Sequence, residues 1–460
     1  MLVHDVVVEE DGEHAVGLFV RSDGRCVLNV PIGMSDMDPS HALALLYKSF
    51  AVFRRTRRSN ERLAALDGIE RWPRGGLDRG EGGTSFCDAM GLDELFDRGD
   101  PLHLLSLCKR RVLQSRNVHR QLERHLHLAL FDDDAVPYLD RVHGPHREIR
   151  HGTSDIVDLY CFVAEDFYRN FLDVDPANVW GSFSREAVAL SANFRRRYLT
   201  SGDSLFVADR QESERTRRQL QHLLHRIDRN TPMRSLHYRM LYDALDRYLH
   251  AGHASARREG QIWGVRDFWA VWESICLYHA AVGADGEDLD SFLTCDFEHL
   301  PPGLAEPALE KRWRERRQAL FARNGIQRRP DLVQASETRV RVVDFKYYRD
   351  PPMRRPRWTD DALLQKRERD FLNMEVYGLL MHNHLLREPG QDSREIALEF
   401  WVPGTCASHT PLVDEPGWEP SLSIITLSTA QVIERYSRLY VHVASDTVEQ
   451  SAYRPRPETP

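Results

Sequence analysis

At 460 residues, 42% of them hydrophobic, the chain has material for two or three domains and a large core. A formal net charge of −8 excludes a uniformly basic nucleic-acid coat, so any such contact has to come from local patches. Seven cysteines without a CxxC pair argue against a zinc site and for a reducing cytoplasm, and no apolar run is long enough to span a membrane.

Taken in order, residues 2–30 read as three short strands joined by DGEH and SDGR turns. Residues 40–57 have helical spacing with Ser40 as the cap, and the glycine- and charge-rich stretch 72–84 reads as a loop or linker. Residues 86–131 read as helical and 136–150 as a further β segment, closing an N-terminal region of 1–150. His119, His125 and His127 match no metal-ligand spacing and read as surface side chains. Helices at 154–172, 186–200, 209–228 and 231–251 fill a helical middle, 151–260. From 261 to 452 the order is helix, hairpin, helix, strand, strand, helix, an α/β layered domain with a mixed sheet; 453–460 reads as a disordered tail.

The chemistry concentrates in that last domain. In 330–348, PDLVQASETRVRVVDFKYY, strand alternation puts Asp344 and Lys346 on one face and Val343 and Phe345 on the other. Paired as a hairpin, the two segments set Asp331 beside Asp344, a costly meeting of carboxylates unless a cation neutralises them. A divalent metal is the usual answer. Lysine occurs only at Lys48, Lys109, Lys311, Lys346 and Lys366; the other 57 of the 62 basic residues are arginine. Lys346 therefore puts a compact, tunable charge where the chain otherwise uses a wide guanidinium. Upstream, the helix at 267–283 carries Glu273 as the only acid between its ends, among apolar neighbours, needing either an arginine or a metal. Basic residues border the hairpin: Arg316, Arg317, Arg328 and Arg329 before it, Arg354 and Arg355 after. They read as DNA-phosphate contacts or as an exposed helix and loop. No Walker A sequence occurs.

Glu273, Pro330-Asp331 and Asp344-Phe345-Lys346 resemble, in order and spacing, the signature of the PD-(D/E)XK nucleases. Asn373 and Tyr377 on a helix at about 360–386 resemble the Gln-x3-Tyr helix that often follows it, with Asn in place of the commoner Gln. More narrowly, FWAVWESICL, the PD and VVDFKYY resemble LlaJI/McrC-like restriction endonuclease subunits. The opening AVGLFVRSDGRCVLNVPIGM resembles their N-terminal hairpin, with Ile32 where a lysine is usual. The resemblance implies a restriction-endonuclease-like α/β/α core and metal-dependent DNA hydrolysis in an antiviral restriction system. Glu273, Asp331 and Asp344 would hold Mg2+ (or Mn2+), and Lys346 would orient the attacking water or stabilise the transition state. It further implies a separate AAA+ GTPase or ATPase docked on the N-terminal region; Arg74 and Arg79 in the glycine-rich stretch read as an ordinary surface loop or as arginine fingers for such a partner's nucleotide. The alternatives are a stand-alone repair or transposon-processing nuclease and a non-catalytic adaptor of an AAA+ protein.

Overall fold

The computed structural model describes residues 6–10, 15–23, 25–56, 85–88, 95–96, 109–113, 130–131, 137–138, 148–152, 155–180, 184–207, 209–231, 235–255, 260–266, 268–283, 289–301, 304–323, 326–348, 361–387, 394–411 and 421–441. The three opening strands form as expected: β1 (Val7–Glu10), β2 (Ala15–Val20) and β3 (Cys26–Val30). β2 and β3 make the antiparallel hairpin, whereas β1 runs parallel to β3 on its outer side. Helix α1 (Pro39–Thr56) starts one residue before Ser40, and Asp38 rather than Ser40 caps it, its Oδ2 accepting from the His41 amide at 3.0 Å.

Of residues 86–131, expected to be helical, the described ones are helical at 95–96 and lie in strands at β4 (Ser85–Asp88), β5 (Lys109–Leu113) and β6 (Leu130–Phe131), while the others lie outside the described residues. β6 pairs with β7 (Pro137–Tyr138), and β5 with β8 (Glu148–Gly152). Short apolar runs do not separate helix from strand, and long-range pairing decided these. The helical middle follows the sequence closely: α2 (Asp155–Asp166) running into a π-turn, α3 (Pro176–Trp180), α4 (Ser184–Tyr198), α5 (Arg210–Asn230) and α6 (Leu236–Ser255).

Strand β9 (Gly260–Arg266), at the head of the segment assigned from sequence to the C-terminal domain, joins the N-terminal sheet between β2 and β4, giving the order β1-β3-β2-β9-β4. It leads directly to α7 (Trp269–Val282). Then come β10 (Phe292–Cys295), α8 (Pro307–Phe321) and the small pair β11 (Ala322–Arg323) and β12 (Ile326–Gln327). The chain continues with β13 (Leu332–Ala335), β14 (Arg339–Phe345), α9 (Asp361–Leu385), β15 (Glu395–Gly404), β16 (Ser408–Pro411), β17 (Ser421–Ser428) and α10 (Thr429–Ser437).

The second sheet has the order β10-β13-β14-β15-β17-β16, with β14, β15 and β17 parallel and the rest antiparallel, so it is mixed. Its two faces obey the strand period. Leu332, Val343, Phe345, Trp401 and Leu427 join the large core containing α7 and α10. Val333, Val340, Val342, Leu398, Phe400 and Ile424 pack with Phe321, Met374, Tyr377 and Met381 of α8 and α9. The protein is thus a mixed α/β structure with helices on both faces of its C-terminal sheet. Among the described residues no helix is long and apolar enough to cross a membrane.

Candidate active site

The register Leu332↔Val343 sets Asp331, just before β13, opposite Asp344 near the end of β14. Asp331 Oδ2 accepts from the Phe345 amide at 2.6 Å, so the hairpin itself fixes that carboxylate beside Asp344. Asp344 is buried. Burial, followed by the charges of Asp344 and Glu273, pushes the Asp331 carboxyl well above the ordinary aspartate value. Glu273, on the first half of α7, contributes to that upward shift of Asp331. The same two acids raise the buried Cys276 thiol after burial itself.

Lys346 lies 2.8 Å from Asp344 Oδ2 and 3.4 Å from Asp370 Oδ1. Burial would lower its pKa, but Asp344, Asp370 and Asp331 overcome that and hold the ammonium well above the ordinary lysine value. It remains a permanent cation shared between the hairpin and α9. Asp370 is buried and also accepts from the Tyr348 hydroxyl.

Of the α9 residues singled out from sequence, Tyr377 is buried edge-on to Phe321. Burial and then Asp344 and Asp331 raise its hydroxyl above the ordinary tyrosine value, and a backbone hydrogen bond ties it to Arg329. Asn373 is half-buried on the same helix. Among the arginines, Arg316 and Arg329 are exposed and Arg328 is half-buried. Arg317 turns inward, with NH1 3.3 Å from Asp296 Oδ1 and its guanidinium over Phe297. Arg74, Arg79, Arg354, Arg355, His119, His125, His127 and the 453–460 tail lie outside the described residues.

Two groups beside Glu273 escaped the sequence reading. His299 Nε2 lies 3.3 Å from Glu273 Oε2 and 3.8 Å from Asp296 Oδ2, while Ser274 Oγ stands 3.4 Å from its other ring nitrogen. The Asp296 amide donates to the Asp331 carbonyl at 2.9 Å, so edge strand β10 delivers Asp296 and His299 to the cluster. The available signal was an acid directly after a short apolar stretch, with histidine three residues on.

The donor set suits a hard divalent cation. Glu273, Asp331 and Asp344 offer only oxygens, the donors such an ion takes, although their carboxylate oxygens are not all within 4.8 Å of one another in this structure. Fold and site together define an α/β protein with a carboxylate–lysine cluster at one end of a mixed sheet. No family model and no curated protein matches the chain.

Proposed function

We propose that this protein is a metal-dependent DNA endonuclease, hydrolysing phosphodiester bonds as the cutting subunit of a cytoplasmic restriction or anti-phage system. The observation that carries the reading is Asp331 fixed across the hairpin from Asp344 with Lys346 2.8 Å from the latter. Asp331, Asp344 and Glu273 would hold Mg2+ or Mn2+. When bound, such an ion lowers the pKa of a coordinated water and neutralises charge developing on the phosphate.

The chain's own groups supply the rest. Lys346, kept charged by three carboxylates, donates hydrogen bonds to the attacking water or to a non-bridging phosphate oxygen. Exposed Arg316 and Arg329 and half-buried Arg328 hold the backbone of the DNA near the cluster. His299 and Ser274 orient the Glu273 carboxylate. Gating by a separate AAA+ GTPase or ATPase rests on the resemblance of the opening hairpin and on the lack of a Walker A sequence.

Plasmid cleavage with Mg2+, with and without the AAA+ partner, tests this. Asp344→Ala and Lys346→Ala are expected to lose at least about 100-fold in rate. Equal cutting by wild type and both variants in every metal would place the chemistry elsewhere.

A further inference from the structure

A second cluster lies away from the nuclease-like site, on the hairpin of α5 and α6. His225 projects from α5, and Asp246 and His250 stand one turn apart on α6. One ligand atom of each, an imidazole nitrogen from either histidine and a carboxylate oxygen, lies within 4.8 Å of the others. A tetrahedral shell with metal–ligand bonds of about 2.0–2.1 Å has edges of roughly 3.3 Å, so small side-chain rotations close the gap. From this geometry we propose that His225, Asp246 and His250 form a binding site for a zinc-class transition-metal ion, which clips α5 to α6.

The surroundings are already arranged for it. His250 Nδ1 lies 3.1 Å from the Asp246 backbone carbonyl and 3.1 Å from Asp246 Oδ1, so ring and carboxylate already stand side by side at about that edge length. His225 Nδ1 lies 3.1 Å from the Tyr242 hydroxyl, a contact that holds the ring in place beside α6. The two imidazole rings are 5.6 Å apart between centroids. Gln221 Nε2 donates to the Leu249 carbonyl at 2.8 Å and the Tyr238 hydroxyl to Asp228 at 3.4 Å, so the helices are pinned on both sides of the cluster. Two imidazoles and one carboxylate suit Zn2+, Ni2+ or Co2+ far better than Mg2+, and with three protein ligands one position stays open to water.

The test uses the full chain carrying Asp344→Asn, which disables the acidic site, freed of metal and titrated with Co2+ and then Zn2+. The expected result is one equivalent of Co2+ bound with a visible absorption band and displaced by one equivalent of Zn2+. His225→Ala and His250→Ala should each weaken it by at least about tenfold. Added Zn2+ should raise the melting temperature of the His225/His250 form and leave His250→Ala unmoved. Binding only at millimolar concentration, or the same stoichiometry and affinity in both histidine variants, overturns the proposal.

Discussion

Lys346 has carboxylate partners on two elements, and they serve different ends. Asp344 shares the hairpin with it and faces Asp331; Asp370 reaches it from α9, itself held by the Tyr348 hydroxyl. Asp370 is thus a positioning residue for the ammonium. Asp370→Asn keeps the shape but drops a charge, and should lower kcat for cleavage about tenfold with little change in KM for DNA or in melting temperature. A parallel loss of stability and activity would instead mark Asp370 as structural only. His279 permits a prediction about pH. Burial first, and then Arg435, lower its pKa to about 4, and Arg435 NH1 stands 3.3 Å from its Nδ1. Between about 4 and the ordinary value near 6.5, the unfolded chain takes up a proton that the folded one refuses, so stability rises with pH across that window. From pH 7 to pH 5 the loss should be about 2 kcal/mol, read from urea midpoints, and His279→Gln should flatten it.

At the scale of elements, legibility followed the length and regularity of the pattern. The hairpin from β13 to β14 was readable because alternation along VRVVDF fixes both faces, and with them the Asp331–Asp344 meeting. The long middle helices were readable for the same reason at a period of 3.6. Strand β10 is only four residues, FLTC, and went unseen; Asp296 and His299 were missed with it. Within 86–131 the helical expectation missed β5, because KRRVL, with its apolar residues at one end, becomes a strand only through Glu148–Gly152. Nor does sequence announce where two strands approach most closely. Gly17 and Gly264 face each other across β2 and β9 with φ of +141° and +129°. A Cβ on Gly17 would collide with the Trp263 carbonyl, and one on Gly264 with the Val16 carbonyl. Backbone cannot yield as a side-chain tip can, so Gly17→Ala or Gly264→Ala should each cost more than about 1–3 kcal/mol in denaturant titrations.

For the molecule as a whole, the decisive fact is that the acidic cluster is built on a core that no single stretch of chain owns. Leu28 and Phe53 from the first 60 residues, Phe162 from the middle and Trp272, Val343 and Trp401 from the last 200 belong to one continuous apolar cluster. Polar contacts follow the same plan. The Ile32 amide donates to the Tyr347 hydroxyl at 3.0 Å, next to Lys346, and Gly33 at φ +84° sits against the Gly404 backbone where β15 ends. The turn that follows β3 is thereby seated against the strand ends of the candidate site. Strand β9 adds a further tie, since it pairs with β2 yet leads straight into the helix that carries Glu273. A cut at 260/261 accordingly severs a sheet and exposes the seam between α1 and α10. The fragment 261–460 is therefore expected not to unfold cooperatively on its own and to bind a hydrophobic dye, whereas co-expression with 1–260 should restore a soluble complex. In the intact chain, Tyr347→Phe leaves the Ile32 amide buried without its partner, at a cost of about 1–3 kcal/mol. Because the core is shared, that loss should shift the tryptophan-fluorescence and far-ultraviolet transitions together. A fragment 261–460 that melts in a sharp transition by itself, or a Tyr347→Phe variant in which only one of the two signals moves, would mean that the C-terminal sheet and its acids form an autonomous unit.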